Sequence, residues 1–592
     1  MTIAEPTEPV PPVDPDDRAG GEEPPGDDQP AEEGRADAEA GDGGIGGWLR
    51  WLVRRPTRYG GFVGALLLFW ISLTPSLLPR PWFAQAAVSG IAAAIGFGLG
   101  SAVSVLVHKV IAGEPSPGTT RVAWRVLIVV AVLGSALLLW WSKGWQNELR
   151  RLMGIDEEPD LAVLALLALA LLVASLVLLG ARLVRSFSRF VIRQIDRVLP
   201  RRASVPIGLA LAVFVIVGFA QGFLWRGTIS AMNGLAGTAN ESTTDGTTRP
   251  ESALRSGSTE SLADWDTLGR MGRDFVGRGP SVADLEDFHG PGCCLPPIRV
   301  YVGLDTADTL TERAELAVEE LERTGAFERS VIGVFNATGT GWINPRVADS
   351  FDYLHRGDSA SVSIQYSFLP SWLSFLVDQT VAAEAGSALI DAVTERLDAM
   401  PEADRPRLLI FGESLGSFAT EQAFGDIESL REGTDGVLLV GPTFSNPLWR
   451  DLVEGRKAGS PQWRPDVTAK GVRFARTPAD LEGFAEESPG TRVVYLQNSS
   501  DPITWWSSDL LYRKPDWAGS PAAPDRAPAF RWYPIVTFWQ VVADLTDSLG
   551  VPTGYGHHFG SNVVDGWVAV SAPAGWTDAD TARLKAVVGE RG

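Results

Sequence analysis

Cysteine and histidine are scarce in this chain of 592 residues, which has two of the first and five of the second. Cys293 and Cys294 are adjacent, so they supply neither a zinc-ligand spacing nor a disulfide framework, and are expected as two free thiols or one vicinal disulfide. His108, His289, His355, His557 and His558 offer no H-x3-H spacing. No metal and no other cofactor is expected. Positive charge is also short, since 51 Lys and Arg against 72 Asp and Glu leave a formal net charge of −21. That excludes nucleic acid as a partner, because a phosphate backbone requires clustered cations on the binding domain. Residues 1–46 hold almost no large apolar side chain and are expected as a disordered acidic tail. This start lacks the basic, then apolar, then small-residue order of a secretory signal, so the first membrane helix is expected to be an uncleaved anchor.

What the chain does hold is long apolar runs. Charged residues, 21% of the whole, gather at the start and in the second half and leave a nearly uncharged middle. Five stretches reach the length of about 20 apolar residues that crosses a hydrocarbon core. They lie near 60–80, 84–107, 122–142, 161–181 and 205–225, and define a transmembrane domain over 47–226. Residues 161–183 are apolar all round until the last Arg, with no polar face. Arg50, Arg54, Arg55 and Arg58 precede the first run, Lys109, Arg121 and Arg125 lie between the second and third, and seven arginines from Arg182 to Arg202 lie between the fourth and fifth. The last group has the look of an interfacial amphipathic helix. By the excess of Lys and Arg on the cytoplasmic side, these segments and the N-terminus are cytoplasmic and everything after Trp225 is extracytoplasmic. No Asp or Glu falls inside the five runs, which favours an anchor over an ion relay. Pro75 and Pro79 make the end of the first helix irregular, and the Gly-rich segment 90–103 suits close helix packing. Residues 227–262 are small, polar and aperiodic, and read as a flexible tether.

From 263 to 592 apolar β-like runs alternate with helix-like ones, the pattern of an α/β domain with a mostly parallel sheet and helices on both faces. RLLIF (407–411) is followed by GESLG, in which Gly412, Ser414 and Gly416 make G-x-S-x-G ahead of a helix-compatible SFATEQAF. By composition alone that pattern arises about 0.5 times in such a chain, so the strand and helix around it carry the weight. The glycines fit a turn too tight for a Cβ at either flank. Chain order adds a test, since this fold places an acid and then a histidine after the nucleophile. Asp501 directly follows the strand RVVYLQN, whereas Asp509, Asp516 and Asp525 follow none; only His557 and His558 lie beyond it. Ser414, Asp501 and His557, with His558 as the alternative base, are therefore the candidate triad. Oxyanion donors are expected from Leu415 and from the loop Asn336, Ala337 and Thr338 after the strand SVIGVFN.

The blocks RVYVGL (299–304), TGTGW (338–342), QYSFLPSW (365–372), GESLGS (412–417), LQNSSDPITWW (496–506), RWYPIVTFWQVVADL (531–545) and GYGHHFG (554–560) run in order along residues 264–570. In these the chain resembles a membrane-anchored family of alpha/beta-hydrolases found mainly in actinobacteria, with a multi-helix N-terminal region ahead of the hydrolase domain. The resemblance implies an α/β-hydrolase fold and serine hydrolase activity. It also aligns His557, rather than His558, with the shared histidine, and places a histidine in relatives where Tyr555 stands.

Aromatic residues crowd the segments around the proposed acid and base: Trp505, Trp506, Tyr512, Trp517, Trp532, Tyr533, Phe538 and Trp539, with Trp372 and Phe375 after another strand. They suit an acyl pocket or a cap that dips into the membrane surface, although Phe538 and Trp539, on a helix-like run, read as core. The expected activity is an esterase, lipase or acyltransferase acting through an acyl-enzyme on lipid or cell-envelope esters. The alternative is a non-catalytic envelope interaction protein built on the same fold. Oligomeric state is not set by these features.

Overall fold

The computed structural model describes residues 56–110, 116–157, 162–197, 200–219, 234, 236–369, 371–377, 379–519 and 521–589. The expected acidic tail, 1–46, and the first part of the expected tether, 227–233, lie outside the described residues.

Among the described residues five helices make up the N-terminal region: α1 Pro56–Ser72, α2 Trp82–Val110, α3 Pro117–Leu152, α4 Val163–Ile195 and α5 Arg201–Phe219. Three of them, α2, α3 and α4, are long and apolar enough to cross a membrane, while the apolar parts of α1 and α5, Tyr59–Ser72 and Val205–Gly218, are shorter. Many of their large apolar side chains point outward, as with Leu164 at 84% and Phe214 at 74% exposure, a surface suited to lipid and not to water, while Phe69, Leu139 and Leu166 pack between the helices. The Gly-rich segment packs closely: a Cβ on Gly96 would overlap the Gly64 carbonyl, and one on Gly100 that of Gly60.

Two helices run further than their apolar patterns. α3 continues past 142 to Leu152, and α4 takes in most of the basic segment expected as a separate interfacial helix. Nothing in ARLVRSFSRF breaks a helix, so the chain goes on for about 50 Å in α4, well beyond a hydrocarbon core of about 30 Å. α1, by contrast, stops at Ser72, and the proline-punctuated segment 73–81 follows as irregular chain.

The C-terminal region holds a seven-stranded parallel sheet in the order β1-β3-β2-β4-β5-β7-β6. The strands are β1 Ile298–Val302, β2 Val331–Asn336, β3 Ser359–Ile364, β4 Arg407–Glu413, β5 Gly436–Val440, β6 Val472–Ala475 and β7 Arg492–Leu496. Every residue of β1, β2, β3, β5 and β7 is buried, as expected of a sheet covered on both faces. Helices α6 Gly269–Gly277, α7 Leu310–Arg323, α8 Pro345–Leu354, α9 Gln379–Asp398, α10 Leu415–Phe424, α11 Val536–Leu545, α12 Asn562–Ser571 and α13 Asp578–Gly589 supply the layers. One core joins the sheet to α7, α9 and α10; the second joins its other face to α6, α8, α12 and α13. A capping box of Thr309 and Glu312 starts α7, satisfying orphan N–H groups at both ends of the motif.

Residues 240–262 do not hang free as the tether reading expects. Arg273 donates to the carbonyls of Asn240, Glu241 and Ser242, and Asp274 accepts from Thr244 and Thr247. Buried Glu320 on α7 accepts from Ser256, Ser261 and the Leu262 N–H. Polar side chains and backbone, not an apolar stripe, hold this segment, so hydrophobic periodicity misses it. Cys293 and Cys294 are joined as a vicinal disulfide.

Candidate active site

Ser414 stands at the turn between β4 and α10 with φ 53° and ψ −118°. Only four described non-glycine residues have positive φ, and such a conformation costs about 1–3 kcal/mol, so the neighbours must hold it. They do: the Ser414 N–H donates to the Val440 carbonyl at 2.8 Å, and its carbonyl accepts from the Ser417 hydroxyl and N–H. The flanking glycines are required sterically. A Cβ on Gly412 would overlap the Gly416 carbonyl, and one on Gly416 would overlap the Asn336 carbonyl at the end of β2.

Asp501 follows β7 and is fully buried. One carboxylate oxygen accepts the Ile503 N–H at 2.8 Å, capping the turn Pro502–Trp505; the other lies 2.7 Å from His557 Nδ1 and accepts from Thr504 Oγ1 at 3.2 Å. His557 Nε2 is buried and has no hydrogen-bond partner among the described residues. With Nδ1 committed to Asp501, Nε2 is the nitrogen left to accept a proton. Burial works against the imidazolium, but the Asp501 charge, the hydrogen bond to it and the nearby Glu413 charge outweigh that, so the His557 pKa is raised above the ordinary value. His558 is turned elsewhere, with Nδ1 2.6 Å from the Val551 carbonyl. Of the alternative acids, Asp509 pairs with Tyr512, Asp516 with Arg456 and Asp525 with Ser499, and none of these contacts involves an imidazole.

The expected oxyanion donors divide. Thr338 N–H already donates to the Trp342 carbonyl at 3.2 Å, which closes a small turn and removes it from the set. Asn336 lies beneath α10, its side chain donating to Thr420 at 2.7 Å. Ala337 and Leu415 remain. Neither N–H donates to a backbone carbonyl among the described residues, and Leu415 is the first residue of α10, where N–H groups are free and the helix dipole favours an anion.

Glu413, directly before Ser414, was not among the sequence candidates. It is buried, accepts from Asn344 Nδ2 at 2.9 Å, and its pKa is raised by burial against the opposing pull of His557 and Asn344. An acidic residue at the free position of G-x-S-x-G is the signal that would have found it. The aromatic residues form a connected row: Phe375 on Phe444, Phe444 on Trp506, Trp506 on Phe538 and Phe538 on Trp539, with ring centres 5.0–5.6 Å apart. Phe538 and Trp539 are half-buried, and Phe538 packs against the core of the sheet domain. The row ends on α11, which packs against α1 and α2. A cavity of about 310 Å³ lined by Arg456, Trp463, Lys514 and Asp516 shares no residue with this site.

Comparison with known proteins matches two family profiles to the chain. One, described as the alpha/beta-hydrolase family, covers residues 298–584, and the other, described as the N-terminus of that family, covers 73–280. No curated protein and no solved structure matches. The second profile begins at the segment after α1 and runs through the helical region to just past α6, so helical region and sheet domain together make up the matched unit. With its seven-stranded parallel sheet, its helical N-terminal region and both profiles matched in order, the chain belongs to the alpha/beta-hydrolase family.

Proposed function

We propose that the protein is a membrane-anchored serine hydrolase that cleaves lipid or cell-envelope esters at the outer face of the membrane. The observations that carry this reading are the buried His557–Asp501 pair, at 2.7 Å, and a serine held in a strained turn at a helix N-terminus. His557 Nε2 takes the proton of Ser414 as its Oγ attacks the ester carbonyl, and Asp501 stabilises the imidazolium. Ala337 and Leu415 N–H groups receive the developing oxyanion. His557 then protonates the departing alcohol, and water, activated by the same nitrogen, releases the acid.

Three features support the setting. The segment 73–80 and the C-terminal end of α3 both touch the hydrolase domain, which fits chain ends that leave the membrane on the same side after the first, third and fifth helices. Lys and Arg clusters on the opposite connections favour the outer side for that domain. The aromatic row from Phe375 to Trp539 leads toward the helices, as a path for an acyl chain would. The test is turnover of p-nitrophenyl esters of rising chain length by the full chain in detergent. The reading expects turnover that rises with chain length and is lost in Ser414→Ala; turnover that survives in Ser414→Ala refutes it.

A further inference from the structure

We infer that the segment 73–80 between α1 and α2 is a positioning element of the Ser414 site, holding the loop that carries His557 against Asp501. This rests on the triad reading above and goes beyond an anchor role for the helices. The loop 546–561 has no helix or strand of its own; turns within it, such as the Gly554 N–H on the His558 carbonyl at 2.8 Å, give its local shape, and contacts from outside fix its position. On one side the tail of β7 does so, with Asn498 Nδ2 donating to the Gly556 carbonyl and Ser500 Oγ accepting the Gly556 N–H. The His557 N–H in turn donates to the Ser548 carbonyl at 2.7 Å.

On the other side the holding groups come from the helical region. Asp544, in the last turn of α11 and four residues before Ser548, accepts from Ser76 Oγ at 2.9 Å and from the Leu77 and Leu78 N–H groups at 3.0 and 3.3 Å. Arg80 Nε lies 3.8 Å from the same carboxyl group. Gln540, one turn earlier, donates to the Thr74 carbonyl at 2.8 Å. An acidic group is out of place there on local grounds, because a helix C-terminus disfavours an anion and burial pushes the Asp544 carboxyl up to about 6. The segment 73–80 supplies what makes it tenable. Tyr555 OH donates to the Leu152 carbonyl at the end of α3, and Leu78 lies against Gly556, next to His557. Leu77, Leu78, Leu149 and Met153 are buried in the same core as Val541 and Val551 of the hydrolase domain. An anchor would need none of these contacts on the histidine loop.

The test labels the full chain in detergent with a fluorophosphonate and follows the rate against pH, since His557 faces Asp501 and Glu413 and its titration reports the pairing. Asp544→Ala is expected to slow labelling about tenfold or more, as a misplaced base does, and to move the pH midpoint downward. Leu321→Ala, in the same core but on α7, controls for stability: it should lower the melting temperature while leaving both readouts near native. If Asp544→Ala does not fold, Ser76→Ala, which removes the segment's own side-chain hydrogen bond to Asp544, carries the same test with an expected fall of about fivefold. A native chain that labels at Ser414, with variants that match it in rate and midpoint, overturns the inference alone. A native chain that does not label at all overturns the serine reading, and this inference with it.

Discussion

Replacing Asp501 with Asn tests the geometry at its narrowest point. The carboxylate makes two opposed demands, accepting the Ile503 N–H on one oxygen and facing His557 Nδ1 with the other. An amide can satisfy only one of them as acceptor. If its oxygen stays on the Ile503 N–H, its NH2 faces the imidazole, Nδ1 must accept, and the ring proton moves to Nε2, which can then take no proton from Ser414. The reverse orientation sets an NH2 against the Ile503 N–H and loses the cap, at about 1 kcal/mol plus the cost of opposed donors. Locking the wrong tautomer costs about 10⁴ in rate, or about 5.5 kcal/mol of barrier. The assay is the second-order rate of fluorophosphonate labelling of the full chain, with melting temperature as the check on folding. A folded Asp501→Asn protein that labels within about tenfold of native refutes the tautomer argument.

Three other outcomes follow from the same contacts. Gly416→Ala drives a Cβ into the Asn336 carbonyl and should abolish labelling while costing about 1–3 kcal/mol in stability, read as a lowered melting temperature. Glu413→Gln removes one of the two negative charges that raise the His557 pKa, so the acid limb of the rate profile should move to lower pH; an unmoved limb contradicts the coupling. Glu421, buried on α10 and hydrogen-bonded to Asn446, Tyr495 and the Leu448 N–H, has its pKa raised by burial to about 7. A carboxyl raised in the fold contributes stability that is present at low pH and lost as pH rises through about 7, here about 3 kcal/mol. Native protein should therefore lose more melting temperature between pH 5 and pH 8 than Glu421→Gln does.

The parts of the site legible in the sequence are those with local signatures. G-x-S-x-G at a strand end, an acid after a later strand and a histidine beyond it are short patterns in fixed order, and the structure brings Asp501 and His557 into contact. The choice between His557 and His558 turns on which ring meets the carboxylate, which spacing cannot show. Thr338 failed as a donor because its N–H closes a turn with Trp342, a detail of backbone geometry. The Asp544 joint left no trace in the pattern because its partners lie 466 to 468 positions away and each is unremarkable where it stands. Residues 240–262 look like linker for a similar reason: Arg273, Asp274 and Glu320 hold them through polar contacts that have no period.

The most direct test of the central claim is to treat the full chain in detergent with a fluorophosphonate and map the adduct by mass spectrometry, in native protein and in His557→Ala and His558→Ala. The account predicts an adduct on Ser414 that is nearly lost in His557→Ala and retained in His558→Ala. An adduct elsewhere, or labelling of Ser414 that depends on His558 and not on His557, contradicts it.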